Sequence, residues 1–144
     1  MRSIKTLLEI KGGQAWSIAP QATVYDALQL MSDKDVGALL VVEHGKLVGI
    51  FTERDYARKL ILKGRFSKDT AVRDLMTPDV LYIEPTNTID DCMMLMTKNR
   101  IRHLPVMESG ELVGIVTIGD VVKQIISDQE STIGHLEQYI TGGY

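Results

Sequence analysis

Residues 20–55 are written again as residues 85–120, 65 residues later and without a gap. Pro20, Thr23, Asp26 and Leu30-Met31 recur as Pro85, Thr88, Asp91 and Leu95-Met96. Gly45, Leu47-Val48-Gly49-Ile50, Thr52 and Asp55 recur as Gly110, Leu112-Val113-Gly114-Ile115, Thr117 and Asp120. Across this span 15 of 36 positions are identical, and substitutions such as Val24/Ile89 and Val36/Ile101 keep their type. A duplication of this kind means one folding unit used twice, packed about a pseudo-twofold axis. Any site in one unit then has a counterpart in the other, and the differences between the copies become informative.

Size makes the two copies interdependent. A chain of 144 residues has the length of one domain, and each copy of roughly 60 residues is marginal as an independent core. The copies are therefore expected to share packing rather than fold as separate beads. With 44% hydrophobic and 24% charged residues, the composition is that of a globular protein. A net charge of −3 gives no global electrostatic case for nucleic acid or a membrane surface. No run of 18 apolar residues is present, and the basic start Met1-Arg2-Ser3-Ile4-Lys5 is not followed by a secretory core. The lone Cys92 cannot form an internal disulfide, which fits a reducing compartment; the cytoplasm is expected.

Hydrophobic periodicity gives the plan of one copy as strand, helix, strand, strand, helix. Ala15 to Ile18 reads as a short strand. From Thr23, apolar Val24, Ala27, Leu28 and Met31 follow a helical period, with Thr23 and Asp26 spaced as in a capping box. Ala38 to Val42 is a continuous apolar strand, Glu43 to Lys46 a turn, and Leu47 to Phe51 the return strand. Thr52 begins a helix through Leu62 that Gly64 can end. The second copy predicts strand Leu81 to Ile83, helix Thr88 to Asn99, strands Leu104 to Met107 and Leu112 to Val116, and a helix from Thr117 to about Gln129. Val72 to Met76 reads as a single helical turn ended by Thr77-Pro78. The divisions are an N-terminal segment 1–14, a first repeat 15–66, a linker 67–79, a second repeat 80–130 and a tail 131–144. In the tail, Ile133, Leu136 and Ile140 mark an amphipathic stretch, and Gly142-Gly143 a frayed end. The fold class is α+β, as tandem β-α-β-β-α repeats.

Both copies end in a Gly-aliphatic-x-Thr-x-x-Asp motif: Gly49-Ile50-Phe51-Thr52-Glu53-Arg54-Asp55 and Gly114-Ile115-Val116-Thr117-Ile118-Gly119-Asp120. With Arg102-His103-Leu104-Pro105-Val106 and Thr77-Pro78, this resembles a pair of CBS domains, the Bateman module, over residues 15 to 130. The resemblance implies a regulatory module rather than an enzyme. It implies binding of AMP, ADP, ATP or NAD in clefts between the repeats, a homodimer, and signalling to a partner by conformational change. The alternative is a scaffold or dimerisation unit that keeps the fold without a ligand.

The motif residues suit a nucleotide. A helix N-terminus exposes unpaired N–H groups and the positive end of the helix dipole, beside the hydroxyls of Thr52 and Thr117. Asp55 and Asp120 can accept from the two hydroxyls of a ribose. Arg54 is a candidate phosphate clamp. By the resemblance, Arg102, His103, Leu104 and Pro105 sit at the cleft centre, with Gly37 and Ala38 as their counterparts and Gly119 as the counterpart of Arg54. The base would rest near Ser17, Ile18 and Ala19 in the site of Asp120, and near Tyr82 and Ile83 in the site of Asp55. The Asp55 site then holds Arg54, and the Asp120 site holds Arg102 and His103.

Plainer readings stand beside these. Thr-x-x-Asp is also a helix cap contributing about 1 kcal/mol. Arg54 and Arg58, four apart on one helical face, also suit two solvated side chains, and His103 also suits a structural role. His44, His103 and His135 are too scattered for a metal site, so no metal is expected. No nucleophile–base pair or Gly-rich phosphate loop is visible. Leu60-Ile61-Leu62, Val121-Val122 and Ile125-Ile126 exceed what one narrow core face needs, which suggests burial against a symmetric partner.

Overall fold

The computed structural model describes residues 2–141. Its elements are α1 (Ile4–Lys11), β1 (Ser17–Ile18), α2 (Val24–Lys34), β2 (Ala38–Glu43), β3 (Lys46–Thr52), α3 (Glu53–Asp55), α4 (Val72–Leu75), α5 (Ile89–Asn99), β4 (His103–Glu108), β5 (Glu111–Thr117) and α6 (Ile118–Thr141). The mixture of helices and strands is the expected α+β class, and the two repeats are visible in it.

In the first repeat β1 runs parallel to β2, which pairs antiparallel with β3. In the second, β4 and β5 form the equivalent hairpin. The predicted strand at Leu81 to Ile83 is reduced to one bridge, in which Ile83 N–H donates to Pro105 C=O (3.0 Å) and accepts from Met107 N–H (2.9 Å). Strand Ala15 to Ile18 is likewise shorter than predicted. The hairpin turns place His44-Gly45 and Ser109-Gly110 at positive φ, the conformation of a type I′ turn that matches strand twist.

The helix from Thr52 is irregular. After α3 it widens into a π-type turn at Tyr56–Leu60 and tightens into a 3₁₀ turn at Ile61–Lys63, where Gly64 (φ 66) ends it. Its counterpart α6 runs unbroken past the predicted end near Gln129 to Thr141, absorbing the stretch read as a tail. Gly142-Gly143, read as a frayed end, lies outside the described residues.

Each core is completed by the segment that precedes the other repeat. Ile4 and Leu7 of α1 are buried with Ile83, Ile89, Cys92, Met96, Leu104, Val116 and Val121 of the second repeat. Val72 and Leu75 of α4 are buried with Val24, Met31, Leu39, Phe51 and Leu60 of the first. The backbone repeats the exchange. Ile4 and Lys5 N–H donate to Asn87 and Pro85 C=O, while Val72 and Arg73 N–H donate to Ala22 and Pro20 C=O. Two glycines permit these approaches. A Cβ on Gly49 would stand 2.6 Å from Met76 Sδ, and one on Gly114 would stand 2.9 Å from Leu8 Cδ2. A third cluster joins the halves, with Ala38, Leu40 and Ile50 packed against Val80, Leu112 and Ile115. This is the shared packing that repeats of marginal size require.

Of the residues expected on a dimer face, Leu60 and Val121 are core residues, and Ile125 packs against the second core. Ile61, Leu62, Val122 and Ile126 are exposed. No helix among the described residues is long and apolar enough to cross a membrane.

Candidate functional site

The two motifs build the same local frame. Thr52 N–H donates to Asp55 Oδ2 (3.0 Å) and Asp55 N–H to Thr52 Oγ1 (3.2 Å), a reciprocal cap at the start of α3. Thr117 and Asp120 repeat it at 2.9 and 3.1 Å. The carbonyl before each central strand then anchors the helix: Glu53 N–H donates to Gly37 C=O and Ile118 N–H to Arg102 C=O. The capping reading of Thr-x-x-Asp is therefore met at both sites.

Charge separates the sites. Asp55 is buried, and accepts from Thr77 Oγ1 and from Lys59 Nζ (3.0 Å), one turn along its own helix. At position 124, equivalent to Lys59, Gln124 turns instead to Asp128. Asp120 takes its cation from α1: Lys11 Nζ donates to Asp120 Oδ2 and to Ile115 C=O. Burial pushes the Asp120 carboxyl up, but the Lys11 hydrogen bond, the Thr117 N–H and the Lys11 charge outweigh it, and the net shift is downward.

A cleft of about 800 Å³ opens at Asp55 between the repeats. The first repeat contributes Gly37, Thr52, Arg54 and Arg58, and the second contributes Arg100, Arg102 and His103, with Thr77 from between them. Arg54 Nη1 donates to the Arg100 carbonyl (3.1 Å), a direct tie across the wall. His103 is half-buried, and burial holds its imidazole below the ordinary histidine range. Glu53 and Asp120 oppose that shift, while Arg102 and Lys11 reinforce it. Cys92 is inert by comparison, since burial and then the Asp120 charge push its thiol up to about 11.

Several sequence expectations need correction here. Arg102 and His103 line the cleft of Asp55 together with Arg54, and are not reserved for Asp120. The Ile83 side chain lies in the core, and its N–H and C=O are spent on Pro105 and Met107, so neither is free for a base. Tyr82 is exposed and does not line the cleft. Leu104 and Pro105 are buried and face the interior, as does Ala38. On the other side, Ser17 and Ala19, expected at the Asp120 site, are exposed, and Ile18 packs on the first core. Gly119 stays exposed, with only Thr117 Oγ1 near the place a side chain would take.

The fold adds three residues that the motifs do not point to: Lys11 of α1, which pairs with Asp120; Arg58, whose helical spacing suits a solvated side chain but which lines the cleft; and Arg100, the left-handed cap that follows α5 (φ 53). Among the described residues, no cluster of three His, Cys, Asp or Glu side chains could hold a metal ion.

A duplicated unit with crossed cores and a cleft between its repeats defines a tandem-repeat module rather than a single-site domain. The family model described as CBS domain matches residues 14–62 and 72–127, more than half of the chain. This chain belongs to the CBS-domain family, whose paired domains are generally regulatory ligand-binding modules. It is 46% identical over 127 residues to the mitochondrial CBS domain-containing protein CBSX3 of Arabidopsis thaliana, covering 85% of this chain but 62% of that protein. It is 34% identical to the CBS domain-containing protein YhcV of Bacillus subtilis, covering 82% of this chain and 84% of the relative. The solved structure of a protein with CBS domains from Burkholderia ambifaria superposes with a TM-score of 0.86 at 46% identity, covering 89% of this chain and 96% of that one.

Proposed function

We propose that the chain is a regulatory, non-catalytic module that binds an adenosine-containing nucleotide in the Asp55 cleft and reports occupancy through the relative position of its repeats. One observation carries the reading. The helix-start motif of one repeat faces arginines and a histidine of the other across a single cleft. A ligand bridging them contacts both repeats at once, so it can bias their arrangement. Phosphate suits the guanidiniums, and the hydroxyls of a ribose suit Asp55. The Asp120 site is proposed as a second site, where Lys11 must leave Asp120, as Lys59 must leave Asp55, before a ribose can reach the carboxylate.

A thermal-shift panel tests this with AMP, ADP, ATP, NAD, NADH, S-adenosylmethionine, GTP and CTP. A ligand bound only by the folded state adds about 2.7 kcal/mol at a hundredfold excess over Kd. Adenine nucleotides should raise the melting temperature in a dose-dependent way, and GTP and CTP less. No shift with any of them at millimolar concentration would reject the reading.

One observation favours the rival scaffold reading: both aspartates are already engaged, Asp55 by Thr52, Thr77 and Lys59, and Asp120 by Thr117 and Lys11. Asp55→Asn keeps an acceptor for the cap while removing the charge. Loss of nucleotide binding with a nearly unchanged melting temperature supports the ligand, whereas loss of stability alone supports the scaffold.

The module is proposed to act in the cytoplasm as a homodimer through the apolar stripe of α6. Among structural neighbours, the cyanobacterial CBS-CP12 protein, 26% identical here, is described as hexameric.

A further inference from the structure

We infer that the Asp55 cleft selects nucleotides carrying a chain of phosphates over monophosphates, and that Arg58 and Arg100 read the phosphates beyond the first. The inference rests on the nucleotide reading above and narrows its ligand.

Four guanidiniums line this one cleft: Arg54, Arg58, Arg100 and Arg102. They come from two stretches of chain, one in each repeat, which local sequence alone does not bring together. Arg54 and Arg58 stand one turn apart on the helix after β3, Arg100 caps α5, and Arg102 immediately precedes β4. Among the described residues, the ion pairs are Arg2–Asp128, Lys11–Asp120 and Lys59–Asp55, so none of the four is matched to a carboxylate. The buried acid of the cleft, Asp55, already has Lys59, which leaves Glu53 as the remaining carboxylate in the lining.

The arginines line two adjoining hollows rather than one closed point. A second hollow of about 300 Å³ shares Arg54, Arg100, Ile101 and Arg102 with the main cleft and adds Met96, Thr97 and Ile118. Arg54, Arg100 and Arg102 thus stand between two adjoining spaces, and Arg58 extends the row into the main cleft.

One phosphate brings a charge of about −2 and is satisfied by one or two bidentate guanidiniums. Four uncompensated guanidiniums within one concavity repel one another, and a single phosphate leaves part of that repulsion standing. A chain of phosphates can distribute its charge along the row. Arg54 is tied to the Arg100 carbonyl and Arg102 adjoins His103 at the cleft centre, so these two suit the first phosphate. Arg58 and Arg100 remain for the next.

Isothermal titration without magnesium tests the assignment, using AMP, ATP and inorganic tripolyphosphate on the native chain and on Arg58→Gln and Arg100→Gln. ATP should bind at least about tenfold tighter than AMP, because each added phosphate gains charge-assisted contacts to a guanidinium. Either variant should weaken ATP about tenfold and leave AMP within about twofold. ATP affinity should also fall more steeply with salt than AMP affinity. If AMP binds and ATP binds no tighter, or if the variants weaken both equally, the inference falls while the nucleotide reading stands. If tripolyphosphate binds and no adenine nucleotide improves on it, the phosphate assignment stands and the adenosine reading falls. If none of the three binds, both fall.

Discussion

Lys11 Nζ donates to Asp120 Oδ2, so the helix that precedes the first repeat neutralises the motif carboxylate of the second. The first repeat solves the same problem within itself, through Lys59 and Asp55. A duplicated site has thus become two unequal sites without loss of either aspartate. The consequence is measurable at both ends of α1, in the stability of the second repeat and in the acid limb of the pH profile.

Lys11→Ala should lower stability by about 1 kcal/mol near pH 7, the range of a partly exposed pair with good geometry. The sign with pH follows from the Asp120 carboxyl, whose folded pKa is depressed. Its contribution is present above the ordinary carboxylate range, near 3.8, and is lost as pH falls through the folded value. The gap between native and variant chains should therefore be full at pH 7, begin to narrow near pH 4 and close as pH falls through the lower folded value. Urea titrations at pH 7, 5 and 3 measure it, and a gap as large at pH 3 as at pH 7 would assign the loss to packing of the lysine stem.

The crossed cores predict effects at a distance. Leu7→Ala and Leu75→Ala each remove a buried side chain and should cost about 2–5 kcal/mol. The location of the damage is the sharper test. Amide exchange should accelerate first in β4 and β5 for Leu7→Ala, and first in β2 and β3 for Leu75→Ala. Acceleration in the sequence-adjacent repeat instead would contradict the exchange of segments.

Much of this architecture was legible and some was not, for physical reasons. The hairpins and the helices α2 and α5 were readable because glycine turns, caps and apolar periods act locally. The role of α1 was hidden by register. Ile4, Leu7 and Leu8 occupy the places of Val72, Leu75 and Met76, an offset of 68 residues where the rest of the repeat keeps 65. Three extra residues between α1 and β1 break the alignment but not the packing. The end of α6 was missed because nothing near Gln129 opposes a helix; a gap in core contact is not a break in periodicity. At the site, the motif aspartates were found from the sequence, whereas the convergence of Arg58 and Arg100 needed the fold, since they lie 42 residues apart in the chain.

His103 predicts a second pH effect, on the neutral side. Burial depresses its folded pKa below 6.5, so the unfolded chain binds the proton more readily. Stability should be unaffected above the ordinary histidine range and should decline as pH falls from about 6.5 through the folded value. A bound phosphate works in the opposite direction and raises the imidazole pKa. Ring-proton NMR titration should place His103 below the ordinary histidine range in the free chain, and move it up on addition of a nucleotide. A His103 that titrates like an exposed histidine, with no response to ligand, would remove it from the cleft.

The last prediction concerns the distal part of α6. Val122, Ile126, Ile133, Leu136 and Ile140 are all exposed, and with Gln129 they follow alternating spacings of four and three. That is the seam of a two-stranded coiled coil, with isoleucine at one core position, valine or leucine at the other, and a single polar residue that can fix the register. Seven-residue recurrence of Ile126, Ile133 and Ile140 has no purpose on a solvated face, and it makes a second copy of the same helix the fitting partner. Leu136→Asp should convert a dimer to a monomer in light scattering at micromolar concentration. Its melting temperature at low concentration should match that of the native chain, because the residue touches no core cluster. Gln129→Cys should form an oxidised dimer, with buried Cys92 silent, if the helices pair in parallel register. Ser131→Cys, on the opposite face, should not. A native chain that is monomeric at these concentrations would refute the pairing.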